Sequence, residues 1–179
     1  MKQLYLYLLI MVTTGLPFAG IASEPRNWKE ELKSNLPFLG HRNWIVITDM
    51  AYPLQTQSGI KTFFADEAYA DILTFVYKEI QNAPHVKPVI YQDKELSLLT
   101  DQDAAGIDAL KKEMNLLLGN QVISLPHEEL IKRLDEVSQM FSVIIIKSNL
   151  TIPYTSTFFE LDCNYWDGER QKKLDEKMK

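Results

Sequence analysis

The sequence is poor in the residues that most often mark a bound cofactor or a structural metal. It has one cysteine, Cys163, and seven glycines among 179 residues, and a single cysteine excludes an intramolecular disulfide bond. The glycines form no phosphate-binding loop of the GxGxxG or GxxxxGKS/T type. The Cys-x-x-Cys, His-x-x-x-His and Gly-x-Ser-x-Gly patterns of zinc sites and serine hydrolases are also absent. We therefore expect no nucleotide cofactor and no structural zinc site.

Positive charge is scarce as well. The chain carries 19 Lys and Arg residues against 24 Asp and Glu residues, for a formal net charge of −5. The basic residues form no cluster, and a surface that binds nucleic acid needs one. We therefore expect no nucleic acid as a partner.

The first 23 residues differ in kind from the rest. Met1 and Lys2 precede the apolar run LYLYLLIMV, and small residues near Ser23 supply a cleavage site of the kind that ends a secretory signal peptide. The run is too short for a stable membrane span. We therefore expect a signal peptide at residues 1–23, an exported, periplasmic domain at residues 24–179, and no stable membrane insertion after cleavage. An uncleaved N-terminal anchor is the alternative.

Strand and helix periods alternate along the mature chain. Strands are predicted at residues 44–48, 86–92, 121–125, 142–147 and 155–162, and helices at residues 28–36, 63–81, 107–118 and 127–140. The continuous apolar run at 142–147 indicates burial on both faces of a sheet. This alternation predicts an α/β fold: a single three-layer domain with a largely parallel central sheet flanked by helices. The charged tail is expected to be a frayed helix.

Three histidines are available for acid–base chemistry near neutral pH. His41 lies in a glycine-containing loop before the first strand, and His127 opens a helix immediately after Pro126. Asp49 follows the strand that His41 precedes. His85 lies in the polar segment NAPHVKP and is expected to be a solvated surface residue. These positions leave open whether His41 and His127 are loop and capping residues, catalytic groups, or metal ligands together with Asp49.

The stretch LGHRNWIVITDMAYP, residues 39–53, resembles the start of the D-ribose pyranase and L-fucose mutarotase family. In that family a Leu-Gly-His loop leads into an apolar strand that ends in Asp and is followed by Pro. Here these positions are His41, Asp49 and Pro53. The segments GIKTFFADEAYADILTFVYKEI, LPHEELIKRL and IPYTSTFFEL are similar to later family segments and occur in the same order. The resemblance covers roughly residues 36–161 and implies the family's α/β fold.

The resemblance also implies an active site. Its catalytic residues are His41, Asp49, His127 and Tyr154, and the substrate-binding candidates are Tyr52, Lys147 and Ser156. Tyr52, beside Pro53, is the candidate to stack on a sugar face. Mutarotation opens a cyclic hemiacetal while the anomeric hydroxyl loses a proton and the ring oxygen gains one, which needs an acid and a base but no metal. We therefore expect a cofactor-independent mutarotase or pyranase that acts on a free monosaccharide.

Two segments depart from the family pattern. Residues 147–150 are Lys-Ser-Asn-Leu where the family has Arg-Thr-Gly-Glu, and the family's Tyr-Ala-Asn becomes Tyr-Thr-Ser at residues 154–156. These changes alter contacts to sugar, so a non-catalytic carbohydrate-binding module on the same fold is the alternative. An enzyme of another type or a purely structural oligomer is a third interpretation. The resemblance further implies a ring-like homo-oligomer with sites near the subunit interfaces.

Overall fold

The protein is built on one six-stranded sheet. The computed structural model describes residues 27–179, so the expected signal peptide at residues 1–23 lies outside the described residues. The strands are β1 (Trp44–Thr48), β2 (Ile60–Phe64), β3 (Val86–Asp93), β4 (Val122–Leu125), β5 (Val143–Lys147) and β6 (Thr157–Cys163). The α-helices are α1 (Trp28–Asn35), α2 (Tyr69–Asn82), α3 (Ile107–Leu118), α4 (His127–Ser138) and α5 (Gly168–Lys177). Short 3₁₀ turns lie at Leu36–Phe38, Lys94–Ser97 and Gly119–Gln121.

All strands except β6 run in the same direction. The order across the sheet is β2-β5-β1-β6-β3-β4. β5 pairs in parallel with β1 and β2, β3 pairs in parallel with β4, and β6 pairs antiparallel with β1 and β3. The predicted α/β class with a largely parallel sheet is confirmed. We call the edge where the parallel strands end and β6 begins the upper edge, and the opposite one the lower edge.

Helices cover both faces of the sheet and complete the three layers. On one face α1, α2 and α3 contribute Leu32, Ile72 and Met114 to the larger apolar cluster. On the other face α4 contributes Leu130 and Leu134 to a smaller cluster. The apolar side chains of β1 alternate between the two clusters, and the whole strand is buried. A strand covered on both sides needs an uninterrupted apolar run, which is why this strand was recognisable in the sequence.

The helix predicted at residues 63–81 is wrong at its start. Phe63 and Phe64 belong to β2, and α2 begins only at Tyr69. The aromatic and β-branched residues of IKTFF favour an extended strand, whereas the helical apolar repeat holds only from Tyr69 onwards. β2 lies at the end of the sheet and is only partly buried. It therefore lacks the continuous apolar run that identified the central strands.

The C-terminal helix stands apart from the two clusters. α5 buries none of its residues, and the side chain of Asp167 caps it by accepting a hydrogen bond from the backbone N–H of Arg170. Helical structure in the charged tail is thus confirmed. In the part of the chain that the structure describes, every helix is too short or too polar to cross a lipid bilayer.

Candidate active site

Polar side chains from distant parts of the sequence gather at the upper edge of the sheet. Asp49 follows β1, Asp93 ends β3 and Lys147 ends β5. His127 begins α4, two residues after the last residue of β4, and residues 154–156 lead into β6. Parallel strands place their carboxyl ends at one edge, where ligand sites of open α/β sheets are found. Because β6 is antiparallel, its amino end joins them.

A pocket of about 440 Å³ opens at this edge. It is lined by Asp49, Ala51, Tyr52, Pro53, His127, Glu128, Ile131, Pro153 and Tyr154. Small-molecule sites occupy roughly 300–1,000 Å³, so the volume suits a small ligand. The pocket brings together three of the four expected catalytic residues: Asp49, His127 and Tyr154. Its lining, among the described residues, contains carboxylates and an imidazole but no Lys or Arg.

His127 is constrained from three directions. Its backbone N–H lies 3.1 and 3.3 Å from the two carboxylate oxygens of Glu95, which accept from it. Its ring meets that of Tyr154 edge to face, with centroids 5.5 Å apart. Its Nδ1 lies 3.2 Å from Oδ1 of Asp93. Within residues 27–179, the ring nitrogen Nε2 has no hydrogen bond and no ion-pair contact.

Asp93 is the site residue that sequence reasoning missed. Its side chain is fully buried, and neither of its oxygens has a hydrogen-bond partner among the described residues. The contact with His127 has ion-pair distance but lies outside hydrogen-bond geometry. Burial raises the pKa of Asp93 from 3.8 to about 6, with His127 opposing the shift and Glu95 and Asp49 adding to it. The sequence does carry a pattern that could have indicated Asp93, because an acidic residue ends an apolar strand there, as Asp49 follows β1.

Asp49 organises the loop that forms one wall of the pocket. Its Oδ1 accepts hydrogen bonds from the backbone N–H groups of Ala51, at 2.7 Å, and Tyr52, at 3.2 Å. Such a turn is a common local arrangement for an aspartate that follows a strand. Another bond, from the N–H of Met50 to the carbonyl of Leu150 at 2.8 Å, ties this loop to the segment before Tyr154. The carboxylate in contact with the His127 imidazole is that of Asp93, and Asp49 lines the same pocket through this loop.

Tyr154 adopts a backbone conformation that is unusual for a bulky side chain. Its φ is +57°, in the left-handed region, which costs an L-residue roughly 1–2 kcal/mol. The following residues compensate, because the buried hydroxyl of Tyr69 donates to the carbonyl of Thr155 and lies 2.9 Å from Oγ1 of Thr157. The Thr155 hydroxyl in turn donates to the carbonyl of Ile152 at 2.9 Å. The turn thereby presents the Tyr154 ring at the mouth of the pocket, next to His127.

Solved structures with the same architecture bind sugars. Bacillus subtilis RbsD, solved in complex with D-ribose, is similar with a TM-score of 0.52 and 19% identity, over 74% of this chain and 91% of that chain. The fucose mutarotase from Streptococcus pneumoniae, solved with L-fucose, is similar with a TM-score of 0.50 and 17% identity, over 74% and 91% of the two chains. The chain has the RbsD and fucose mutarotase fold. No protein-family model and no curated protein matches it by sequence.

Of the three substrate-binding candidates, Tyr52 lines the pocket, whereas Lys147 and Ser156 are not among the described residues that line it. Tyr52 is only 5% exposed, so little of its ring is open for the expected stacking on sugar. Its hydroxyl has no partner among the described residues, and burial, reinforced by Asp135 and Asp93, raises the pKa of Tyr52 above its ordinary value. Lys147 donates from Nζ to the carbonyl of Tyr52 at 2.6 Å, and Ser156 is buried. These residues support the pocket wall from within the RbsD-type scaffold.

The other two histidines lie away from the pocket. His41 precedes β1 at the lower edge, where its Nδ1 lies 3.0 Å from Asp162, a carboxylate that also lies 3.5 Å from Lys87. The five residues of β1 advance about 3.3 Å each, which separates His41 from the upper edge by about 16 Å. His85 is not the solvated residue we expected, because it is half-buried with Nε2 3.0 Å from the carbonyl of Leu39.

The position of His41 also bears on metal binding. A site made of His41, Asp49 and His127 cannot form within one chain of this RbsD-type fold, because its ligands lie at opposite edges of the sheet. Across residues 27–179, no three His, Cys, Asp or Glu side chains are grouped closely enough to hold a metal ion. The titratable side chains that line the pocket are those of Asp49, Tyr52, His127, Glu128 and Tyr154.

Proposed function

We propose that the protein is a sugar mutarotase or pyranase of the D-ribose pyranase and L-fucose mutarotase family, which interconverts anomers or ring forms of a free monosaccharide. The observation that carries the proposal is the pocket in which His127, Asp49 and Tyr154 meet in a fold shared with two sugar-bound proteins. The sequence resemblance over residues 36–161 supports the same activity. At 17–19% identity, the similarity to these two structures shows only that the fold is shared.

The reaction needs only proton transfers. A base removes the proton of the anomeric hydroxyl, the bond between the anomeric carbon and the ring oxygen breaks, and the ring oxygen takes up a proton. The resulting aldehyde rotates, and the steps reverse when the ring closes. Nε2 of His127 faces the substrate as the proton-exchanging atom, and the Tyr154 hydroxyl and the Asp49 carboxylate hydrogen-bond to sugar oxygens. Positioned acid–base groups accelerate such steps by about 10²–10⁴-fold.

The charge of the pocket favours an unphosphorylated sugar. Asp49 and Glu128 line it, Asp93 contacts His127, and none of the described residues that line it is a Lys or Arg. A phosphate group prefers Arg or Lys side chains or a helix N-terminus with free N–H groups. The N–H of His127 at the start of α4 is already bound by Glu95. Carboxylates instead accept hydrogen bonds from sugar hydroxyls, so we expect a neutral monosaccharide.

Saturation-transfer NMR of D-ribose, L-fucose and other free sugars tests the activity. We expect the protein to exchange anomers of at least one sugar faster than buffer does, and His127→Ala to lower that rate at least about tenfold. Asp71→Asn, an exposed carboxylate in the first turn of α2, is the matched control and should keep the full rate. No acceleration with any sugar would end the proposal, and calorimetric sugar binding without exchange would favour the non-catalytic carbohydrate-binding module.

We also propose a homo-oligomer in which the site is completed near a subunit interface. The separation of His41 from the pocket supports this arrangement, because a second copy is the available source of another imidazole. Exposed apolar side chains occur at both edges: Phe38 near His41, and Met50 and Leu54 beside the pocket. Light scattering measures the subunit number. Mixing the His41→Ala and His127→Ala variants should restore part of the lost activity if one site uses both residues from different chains, and no recovery would contradict shared sites.

We also propose that the protein is exported from the cytoplasm, and the apolar segment at residues 1–23 supports this. An exported mutarotase would equilibrate sugar forms outside the cytoplasm, before a transporter selects one of them. A reporter enzyme that is active only outside the cytoplasm, fused after residue 179, should be active. Its retention in the cytoplasm would contradict the proposal, and deletion of residues 1–23 provides the negative control.

A further inference from the structure

We propose that Asp93 is a positioning residue for His127: its buried carboxylate holds the imidazole in the tautomer with the proton on Nδ1 and leaves Nε2 to exchange a proton with the sugar. This inference rests on the proposed function for its catalytic consequence. The imidazole tautomer itself is a property of the chain alone. It is therefore measurable whether or not a sugar is turned over.

The contact between His127 and Asp93 determines which ring nitrogen carries the proton. Nδ1 of His127 lies 3.2 Å from Oδ1 of Asp93, and both atoms are shielded from water. An ionised carboxylate only accepts hydrogen bonds, so the nitrogen that faces it must carry the proton. A neutral imidazole has one N–H, and the other nitrogen is then an acceptor. The contact is misaligned here, but hydrogen bonds of catalytic groups are often poorly aligned before the ligand binds.

Two further contacts constrain the position of His127. Glu95 accepts from its backbone N–H, and the ring of Tyr154 meets its ring edge to face. A half-turn of the ring would place a carbon in front of Asp93 instead of Nδ1, and a rotation that tilts the ring plane would break the edge-to-face contact with Tyr154. The imidazole of His127 therefore presents Nδ1 to the carboxylate of Asp93 and Nε2 to the pocket, next to Tyr154.

The side chain of Asp93 neither holds a turn nor caps a helix among the described residues. Asp49 and Asp167 each accept hydrogen bonds from backbone N–H groups and so hold a turn or cap a helix. Asp93 accepts none from the described residues, although its side chain is fully buried. Burial of a carboxylate without hydrogen bonds costs free energy, and the pKa of Asp93 is raised accordingly to about 6. A residue that stabilises nothing else is explained by its contact with His127.

The test is ¹⁵N NMR of histidine-labelled protein. The chain has only three histidines, and the His127→Gln variant assigns the signal of interest. We expect long-range ¹H–¹⁵N correlations of wild-type His127 to report a protonated Nδ1 and an unprotonated Nε2 at pH 7.5. In Asp93→Asn, the amide can donate to Nδ1, and in Asp93→Ala the acceptor is gone. Both variants should shift His127 towards the tautomer with the proton on Nε2.

Measuring anomer exchange of D-ribose and L-fucose on the same samples tests whether the change of tautomer lowers the rate of catalysis. Asp93→Asn should lower the rate at least about tenfold, as the wrong tautomer does for other histidine bases, without a matching rise in KM. The matched control is Asp162→Asn, which removes the carboxylate beside His41 and should leave the His127 signals unchanged.

Each outcome decides one claim. A wild-type His127 that carries its proton on Nε2 would overturn the proposal without any variant, as would an Asp93→Asn variant with unchanged tautomer and unchanged rate. If wild-type protein accelerates no sugar but shows the Nδ1 tautomer and its loss on substitution, the positioning contact stands and the proposed mutarotase activity fails.

Discussion

Replacing Asp93 by asparagine should stabilise the fold at neutral pH. The pKa of Asp93 is about 6 in the folded chain instead of 3.8, mainly because of burial. A difference of one in pKa corresponds to about 1.36 kcal/mol, so ionisation of this carboxyl costs the folded state up to about 3 kcal/mol. An amide of nearly the same shape avoids that cost. The same substitution is expected to impair His127, so stability and activity should change in opposite directions.

The sign of the pH dependence follows from proton binding. Between pH 4 and 6 the folded chain keeps the proton of Asp93 more tightly than the unfolded chain does, so this residue's contribution to stability is present below pH 4 and is lost as pH rises through about 6. The advantage of Asp93→Asn over wild type should therefore grow from pH 4 to pH 7, by up to about 3 kcal/mol. For a chain of this size that is about 2–4 °C in melting temperature for each kcal/mol.

Urea denaturation of both proteins at several values between pH 4 and 7.5 measures this difference. Other carboxyls titrate too; Glu67, for example, has its pKa lowered mainly by the hydrogen bond from Lys29. Their contribution is common to both proteins and cancels when the two curves are subtracted. A stability difference that does not change with pH, or a variant less stable than wild type at pH 7, would refute the reasoning.

Further predictions concern Tyr69, which supports the turn of Tyr154, and Gly59, which packs against the end of α4. Tyr69→Phe removes the buried hydroxyl that contacts Thr155 and Thr157; we expect a loss of about 1–3 kcal/mol in urea denaturation and a higher KM for sugar, and unchanged values would contradict this role. Gly59→Ala places a Cβ 2.5 Å from the carbonyl oxygen of Ser138 and should cost about 1–3 kcal/mol. Gly40→Ala, whose Cβ would meet nothing within 4 Å, is its control.

Much of the fold was predictable because burial leaves a periodic trace. β1 and β5 are covered on both faces, so their apolar residues are consecutive, and α3 and α4 are covered on one face, so theirs recur at helical spacing. β2 was missed for the converse reason, since an edge strand that is only partly buried carries no such run. The short loop from β2 to Tyr69 also let the helical pattern appear to begin too early.

The candidate site was only partly predictable, because the positions of strand ends depend on strand direction. His41 and Asp49 are close in sequence, yet β1 lies between them and places them at opposite edges. Asp93 and His127 are far apart in sequence and meet because β3 and β4 are parallel neighbours. Tyr52 was expected in an open loop and is instead buried against the cluster under α4.

The sequence by itself determined which segments are buried, since apolar periodicity reflects how many faces of an element are covered. It also determined which proton-exchanging side chains are available, and that two of them, Asp49 and His127, flank such segments. Only the tertiary structure decided which of them meet. Strand order and the reversed direction of β6 bring Tyr154 to the edge where Asp93 and His127 lie, and they leave His41 at the opposite edge. The sequence does not reveal this placement, because pairing between distant strands leaves no local pattern along the chain.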